Sequence, residues 1–223
     1  MSRNALELAQ AHWDATPLYY SAEERYRIYP WLPEAAEFDK HSGEQLLELG
    51  CGTGCDLLQF ALHGAIATGV DVTNTHVNRA RERLAGRAQV VKSDIHDLPF
   101  PDGSFDYMYS HGVLHHCDNP RRVVEEIFRV LKPNGRFNVH VYALWSYTAL
   151  YNRFIYGKEW KCKVENSEAR VRIDLYTARR LRDLFWPAKL QIEKHELTSR
   201  RLRLLEPWFG WYLVAKGCNS SAR

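Results

Sequence analysis

The fold is decided by Leu46-Leu47-Glu48-Leu49-Gly50-Cys51-Gly52-Thr53-Gly54. The apolar run predicts a strand, and the glycines predict a tight turn in which the backbone takes positive φ and a ligand approaches closely. A second apolar run, 65–70, ends in Asp71. A helix between the two runs would begin at the turn and direct its N–H groups at a ligand there. Because an acid after the second strand accepts hydrogen bonds from ribose hydroxyls, the pattern predicts a nucleoside-type cofactor site.

The spacing of the glycines distinguishes between cofactors. Dinucleotide enzymes use G-x-G-x-x-G beside a pyrophosphate, whereas this turn reads G-x-G-x-G. Glu48 stands two residues before the first glycine, where its carboxylate would repel a pyrophosphate but receive an ammonium group. The turn therefore favours S-adenosylmethionine, with a nucleotide-binding Rossmann domain of another kind as the alternative.

Three later segments complete the pattern: 93–100 (SDIHDLPF), 105–116 (FDYMYSHGVLHH) and 129–136 (RVLKPNGR). With the glycine turn, they resemble the motifs of class I S-adenosylmethionine-dependent methyltransferases, of the methyltransferase type 11-like, bacterial small-molecule branch. The resemblance covers roughly residues 45 to 142.

Alternating strand and helix patterns predict an α/β, Rossmann-like, doubly wound sheet. We expect strands near 45–49, 66–71, 88–92, 104–110 and 136–142, and helices near 4–13, 53–63, 75–85, 120–131 and 178–186. Asn119 and Thr177 are the expected caps of the last two helices. Residues 17–33 are expected to be irregular, and 190–197 and 208–215 to pair as strands. The resemblance implies a mostly parallel, seven-stranded sheet with an antiparallel last strand.

The resemblance also implies a set of cofactor-binding residues: Glu48, Gly50, Cys51, Gly52, Gly54, Asp71, Val72, Asp94, Ile95, Ser110 and His111. In it, Glu48 holds the cofactor's amino group and Asp71 its ribose hydroxyls. Val72, Asp94 and Ile95 surround the adenine, with Asp97 as the alternative to Asp94. Ser110 and His111 line the methionine end.

Histidines crowd the loop after the fourth predicted strand. His111 is the candidate catalytic base or acceptor-orienting group. His115 and His116 adjoin Cys117, but consecutive His-His-Cys does not match common metal-ligand spacing, so no metal site is expected. Packing and hydrogen bonding are the expected roles of His115 and His116.

Aromatic residues mark the expected acceptor side. We expect one domain over 1–223, divided into an N-terminal lid (1–40), a cofactor-binding core (41–142), an aromatic insertion that caps the acceptor (143–176) and a C-terminal helix and strand pair (177–217). The expected substrate and lid residues are Tyr19, Tyr20, Arg25, Tyr26, Tyr29, His115, Trp145, Tyr147 and Tyr151. For any one ring, packing of the lid against the sheet is an equally good interpretation.

Charge is distributed unevenly along the chain. Residues 1–120 hold 9 Lys/Arg and 17 Asp/Glu, a net charge of −8, and residues 121–223 hold 21 and 10, a net charge of +11. The basic half would suit an acidic acceptor or nucleic acid, or be a solvated surface. Five scattered cysteines and the lack of a long apolar stretch predict reduced thiols, a cytoplasmic location and no membrane partner.

These observations predict an enzyme that methylates a nitrogen, oxygen, sulfur or carbon atom of a small molecule. S-adenosylmethionine would be its cofactor and S-adenosylhomocysteine its product, and the enzyme would be a monomer or a homodimer. The alternative is an RNA or protein methyltransferase that uses the basic C-terminal half, although nucleic acid is not the expected partner. A non-catalytic cofactor-binding protein is the third class, against which the intact glycine turn and both acids argue.

Overall fold

The computed structural model describes residues 3–15, 21–157, 172–196 and 205–219. Its strands are β1 Gln45–Leu49, β2 Ile66–Asp71, β3 Gln89–Lys92, β4 Phe105–His111, β5 Leu131–Tyr142, β6 Gln191–His195 and β7 Tyr212–Cys218. Its helices are α1 Arg3–Ala15, α2 Ala22–Ile28, α3 Leu32–Ala36, α4 Cys55–Leu62, α5 Asn74–Leu84, α6 Pro120–Val130, α7 Tyr147–Tyr156, α8 Ala178–Leu184 and α9 Glu206–Phe209. Short 3₁₀ turns lie at Phe38–Lys40 and Leu114–His116.

The strands form one seven-stranded sheet in the order β3-β2-β1-β4-β5-β7-β6. Strands β1 to β5 are parallel to one another. Strand β7 runs antiparallel to both of its neighbours, β5 and β6. The predicted fold class, including the antiparallel last strand, is confirmed. Strand order reverses between β1 and β4, and ligands of open α/β sheets bind beyond the carboxyl ends of such a pair.

The two faces of the sheet differ in polarity. On one face, Leu47, Met108 and Val139 join an apolar core with α6 and α8. On the other face, Glu48 lies beside Tyr109 and Tyr109 beside Asn138, and in the next row His111 lies beside His140. Central strands covered on both faces are ordinarily apolar throughout, so this polar row needs partners from the elements packed above it.

Most predicted boundaries lie within two residues of the observed ones, and Asn119 and Thr177 cap α6 and α8 as expected. Three expectations were wrong. Residues 17–33 are not irregular throughout, because a capping box between Ser21 and Glu24 begins α2. Strand β5 begins at Leu131 rather than near 136. The last strand begins at Tyr212 rather than 208, because Glu206–Phe209 is helical.

A buried carboxylate ties the loop after β3 to α6. Glu126 accepts hydrogen bonds from the backbone N–H of Leu98 at 2.8 Å and from Arg129 at 2.7 and 3.0 Å. Arg129 in turn donates to the carbonyls of Leu98 and Phe100. These hydrogen bonds of Glu126 and Arg129 form a clamp that fixes the loop carrying Asp94 and Ile95.

We expect Glu126→Ala to lower the free energy of unfolding by about 3 kcal/mol, because it leaves the buried N–H of Leu98 without an acceptor and removes the carboxylate that pairs with Arg129. The neighbouring Glu125, which is 57% exposed, supplies the control variant Glu125→Ala, with an expected loss below about 1 kcal/mol. Urea denaturation of both variants measures the difference. Equal losses would show that the clamp contributes nothing beyond a surface ion pair.

Candidate active site

A cleft opens beyond the carboxyl ends of β1 and β4 and has two adjoining chambers. The larger encloses about 800 Å³ and the smaller about 400 Å³. Gly50, Gly52 and His111 line both chambers, so these residues mark the junction. The cleft therefore lies at the reversal in strand order, where the sequence predicts it.

The glycine turn forms the floor of the junction. A side chain at Gly52, whose φ is +51°, would extend into open space, so the turn leaves room for a ligand beside its backbone. A Cβ at Gly50 would instead collide with Val113, which itself lines the larger chamber. Gly54 lines neither chamber among the described residues; it caps α4 at its N-terminus and lies against Ala80 of α5.

Asp71 lies in the larger chamber and is held by its own loop. Its carboxylate accepts hydrogen bonds from the N–H groups of Gly52 and Thr73 and from the Thr73 hydroxyl, all at 3.0 Å. The His76 ring lies 3.3 Å away. Burial acts to raise the pKa of Asp71, but His76 and these hydrogen bonds outweigh it and hold the pKa below its ordinary value. Asp71 is therefore an ionised acceptor that also shapes the turn.

Asp94 and Ile95 line the larger chamber together with Val72. One oxygen of Asp94 accepts from the backbone N–H of His96 at 3.0 Å and lies 2.7 Å from its ring Nδ1. Burial acts to raise the pKa of Asp94, and the contacts with His96 reverse the effect and lower it. This chamber thus combines apolar walls with two ionised acids.

Helix α1 lies over the larger chamber. Ala9 and Trp13 face into it, and Gln10 donates to the carbonyl of Val72 at 3.2 Å. Trp13 also meets the ring of His116 edge to face, with centroids 5.4 Å apart. The backbone N–H of Thr75 also donates to Asp14 at 3.1 Å, so the helix contacts the segments that follow β2 and β4.

The smaller chamber contains two buried acids with different surroundings. Asp56 receives Arg25 in a bidentate ion pair at 2.6 and 2.7 Å, and hydroxyls from Tyr26 and Tyr109 at 3.0 and 3.2 Å. Glu48 is 4% exposed, and its Oε2 has no hydrogen-bond partner among the described residues. Burial, and then Asp56, raise the pKa of Glu48 well above its ordinary value, an effect that Arg25 partly offsets. Asp56 therefore has a cationic partner, Arg25, whereas no described residue forms an ion pair with Glu48.

Aromatic side chains surround His111 at the junction. Its ring stacks on Tyr212, with centroids 4.9 Å apart, and lies 5.6 Å from Tyr29 and 5.9 Å from Trp31. Burial, and then the charge of Arg25, hold the pKa of His111 well below its ordinary value. The arrangement places a neutral imidazole where the two chambers meet.

The structure brings together only some of the predicted residues. Cys51 lines the smaller chamber, and Arg25, Tyr26 and Tyr29 reach the site through the contacts described above. Tyr19 and Tyr20 lie outside the described residues. Trp145, Tyr147 and Tyr151 line neither chamber among the described residues; Trp145 is 63% exposed, and the two tyrosines stack on each other along α7.

Two predicted residues point away from the cleft. Strand alternation turns the Ser110 side chain into the apolar face of the sheet, where its hydroxyl donates to the carbonyl of Leu49 at 3.3 Å. The expectation that this side chain lines the methionine end was therefore wrong. His115 is fully buried and stacks on Tyr142 at 3.8 Å, so its placement among the substrate residues is corrected to a packing role.

Sequence reasoning missed several residues that line or support the cleft: His76, His96, Val113, Trp31, Asn138, His140 and Tyr212. A signal for two of them was present, because Asn138 and His140 alternate with valines in a strand otherwise expected to be apolar. No group of three or more potential metal ligands occurs in the part of the chain that the structure describes. In the same part, no helix is long and apolar enough to cross a membrane.

Comparison with known protein families gives one match, to the methyltransferase domain over residues 47–139. The chain is 39% identical over 115 residues to 24-methylenesterol C-methyltransferase 2 of Oryza sativa, an alignment that covers 49% of this chain and 31% of the relative. It is 33% identical over 101 residues to the 27-O-demethylrifamycin SV methyltransferase of Amycolatopsis mediterranei, covering 43% and 37%. The matches thus span about a third of these curated relatives.

Solved structures are similar over nearly the whole chain. A methyltransferase of Thermotoga maritima, described as a possible histamine N-methyltransferase, gives a TM-score of 0.67 at 20% identity, covering 96% of this chain and 99% of that one. A putative methyltransferase of Haloferax volcanii, in complex with its Trm112 activator, gives 0.71 at 20% identity, covering 96% and 98%. At this identity the similarity establishes the fold.

We expect His115→Phe to flatten the pH dependence of stability. Burial, and then His116 and His111, hold the pKa of His115 well below 6.5. Below pH 6.5 the unfolded chain therefore binds a proton at His115 that the folded chain does not, and folding weakens as the pH falls. Between pH 7.5 and 5.5 the variant should lose about 1.4 kcal/mol less than the wild type.

Phenylalanine preserves the stack on Tyr142, so the comparison isolates the imidazole nitrogens of His115, which have no hydrogen-bond partner among the described residues. Urea denaturation at both pH values measures the effect, with His63→Phe as the exposed control. Identical pH slopes in the wild type and His115→Phe would contradict the buried, neutral state of His115.

Proposed function

We propose that this chain, a member of the class I S-adenosylmethionine-dependent methyltransferases, transfers a methyl group from S-adenosylmethionine to a small-molecule acceptor. The observation that carries the proposal is the division of the cleft into a chamber with Asp71 and a chamber with the unpartnered carboxylate of Glu48. The ribose hydroxyls and the ammonium group of one ligand match these two acids.

The residues present fit this cofactor. Asp71 would accept from the ribose hydroxyls, and Asp94, Val72 and Ile95 would hold the adenine between apolar walls. In the smaller chamber, Glu48 would receive the amino group, and Arg25, which is paired with Asp56 and lines the same chamber, would lie near the carboxylate. When bound, S-adenosylmethionine supplies a methyl group already activated by a sulfonium.

The chain's own residues would then mostly orient the two reactants and exclude water. Helix α1 would cover the cofactor, with Trp13 and Ala9 facing it. The rings of Tyr29, Trp31 and Tyr212 would hold the imidazole of His111 in place beside the acceptor. We therefore assign residues 1–40 to a lid and the cluster around His111 to the acceptor side.

A small acceptor suits the junction, which Gly50, Gly52 and His111 line. Parts of the basic C-terminal half carry their own counterions: Arg172 and Arg180 both pair with Asp174, and Arg179 lies 3.9 Å from Asp183. These pairs weaken the case for a phosphate-binding surface on α8, and no second function is proposed.

Calorimetry should show that the purified protein binds S-adenosylhomocysteine and does not bind NAD. Asp71→Asn keeps the size of the side chain but removes its charge and one of its two acceptor oxygens, and should weaken binding about ten- to a hundredfold. The exposed acid of the next loop supplies the control Asp97→Asn, which should bind as the wild type does. NAD binding without S-adenosylhomocysteine binding would overturn the proposal.

We expect Glu48→Gln to weaken S-adenosylhomocysteine binding about ten- to a hundredfold while leaving 5′-methylthioadenosine, which lacks the amino acid portion, unaffected. Because the pKa of Glu48 is raised and an ammonium would favour its ionised form, binding to the wild type near neutral pH should release a proton. Calorimetry in buffers of different ionisation enthalpy measures that release, which the variant should lose. An equal loss of affinity for both ligands would place the amino group elsewhere.

A further inference from the structure

His111 and His140 face each other across β4 and β5. They are register partners, and their Nδ1 atoms lie 3.0 Å apart, so one nitrogen donates and the other accepts. His140 is fully buried. Burial holds the pKa of both rings well below the ordinary value, so each carries a single ring proton at neutral pH.

The direction of this hydrogen bond follows from a chain of contacts that begins in α3. The amide nitrogen Nδ2 of Asn138 donates to the carbonyl of Ala35 at 2.8 Å, which fixes the orientation of the amide. Its oxygen Oδ1 therefore faces Nε2 of His140 at 2.9 Å, and an amide oxygen only accepts. The ring proton of His140 must be on Nε2, and its Nδ1 carries a lone pair.

The same logic extends to His111. Since Nδ1 of His140 accepts, Nδ1 of His111 carries the proton and donates it. The lone pair of His111 then lies on Nε2, which has no hydrogen-bond partner among the described residues. His111 lines both chambers of the cleft. The network thus presents a hydrogen-bond acceptor at the junction.

We propose that Asn138 and His140 are positioning residues that fix His111 as its Nδ1–H tautomer, so that Nε2 takes the proton of an aromatic hydroxyl acceptor. The inference rests on the proposed methyl transfer and specifies its acceptor. The rings of Tyr29, Trp31 and Tyr212 pack against His111, and the apolar surroundings that they give the imidazole disfavour a charged acceptor.

The step balances with the groups named. The acceptor oxygen forms a bond to the methyl carbon while the carbon–sulfur bond breaks and its electron pair stays on sulfur. The hydroxyl proton passes to Nε2 of His111, which later releases it to water. No oxidant or further co-reactant is required.

The chemistry of a neutral imidazole favours a phenolic acceptor over the other classes. A phenol, with a pKa near about 10, gives up its proton far more readily than an aliphatic alcohol. A thiol is already partly ionised near neutral pH and gains less from a base. A neutral amine attacks through its lone pair and loses its proton only afterwards.

The tautomer can be measured without cofactor or acceptor. Long-range ¹H–¹⁵N spectra of histidine-labelled protein, assigned with His111→Gln, should show a protonated Nδ1 and an unprotonated Nε2 in the wild type. His140→Phe removes the acceptor and should shift His111 toward the Nε2–H form. His140→Gln, whose amide can accept from His111 and donate to Asn138, should restore the wild-type form. A wild-type His111 that carries its proton on Nε2 overturns the inference.

Acceptor profiling with labelled S-adenosylmethionine tests the chemical class. Methyl transfer to phenols should fall about 10²- to 10⁴-fold in kcat for His111→Gln and substantially for His140→Phe, while the Kd of His140→Phe for S-adenosylhomocysteine stays unchanged. His140→Gln should retain most of the rate. The matched control is His41→Gln. His41 is a buried histidine that stacks on Tyr107 outside the cleft.

The outcomes separate the two proposals. Methyl transfer to amines or carbon acceptors that is insensitive to His111→Gln would overturn the phenolic acceptor and leave the methyltransferase activity standing. Failure to bind S-adenosylhomocysteine would overturn the proposed function, whatever the tautomer of His111.

Discussion

Polar side chains on the inner face of a covered sheet need partners, and this constraint organises the site. Glu48, Tyr109 and Asn138 form one row across three strands, and His111 and His140 form the next. An unpaired buried polar group costs about 1–3 kcal/mol, so most of these groups are hydrogen-bonded. Helices packed above the sheet supply two of the partners: Asp56 of α4 accepts from Tyr109, and the carbonyl of Ala35 in α3 accepts from Asn138.

The N-terminal helices therefore supply hydrogen-bond partners to buried polar groups as well as covering the sheet. Helix α2 supplies Arg25 and Tyr26 to Asp56, and α3 supplies the carbonyl of Ala35 to Asn138. Trp31, at the start of α3, is buried against Tyr212 and His195. Helix α1 contacts the loops around the cleft through the pairs Gln10 and Val72, Asp14 and Thr75, and Trp13 and His116.

The sequence predicted what local patterns encode and missed what depends on distant residues. The glycine turn, Asp71 and Asp94 all follow strand ends, so strand prediction alone placed them together. The hydrogen bond between Asn138 and Ala35 spans 103 residues and has no local signature. The expectation for Ser110 followed its position in the motif and did not consider strand alternation. Alternation directs the side chains of Tyr109 and His111 to one face of the sheet and the side chain of Ser110 to the other.

The two acids of the smaller chamber show how the structure separates stability from binding. Asp56 is matched by a cation and two hydroxyls and belongs to the folded core. Glu48, only a few residues away in the chain and equally buried, keeps an oxygen without a hydrogen-bond partner among the described residues, which is costly for folding alone. The cost is explained if a ligand's ammonium completes the set, because the chamber then needs no rearrangement to receive it. The same reasoning applies to Nε2 of His111. The hydrogen bonds through His140 and Asn138 leave this atom as an acceptor at the junction.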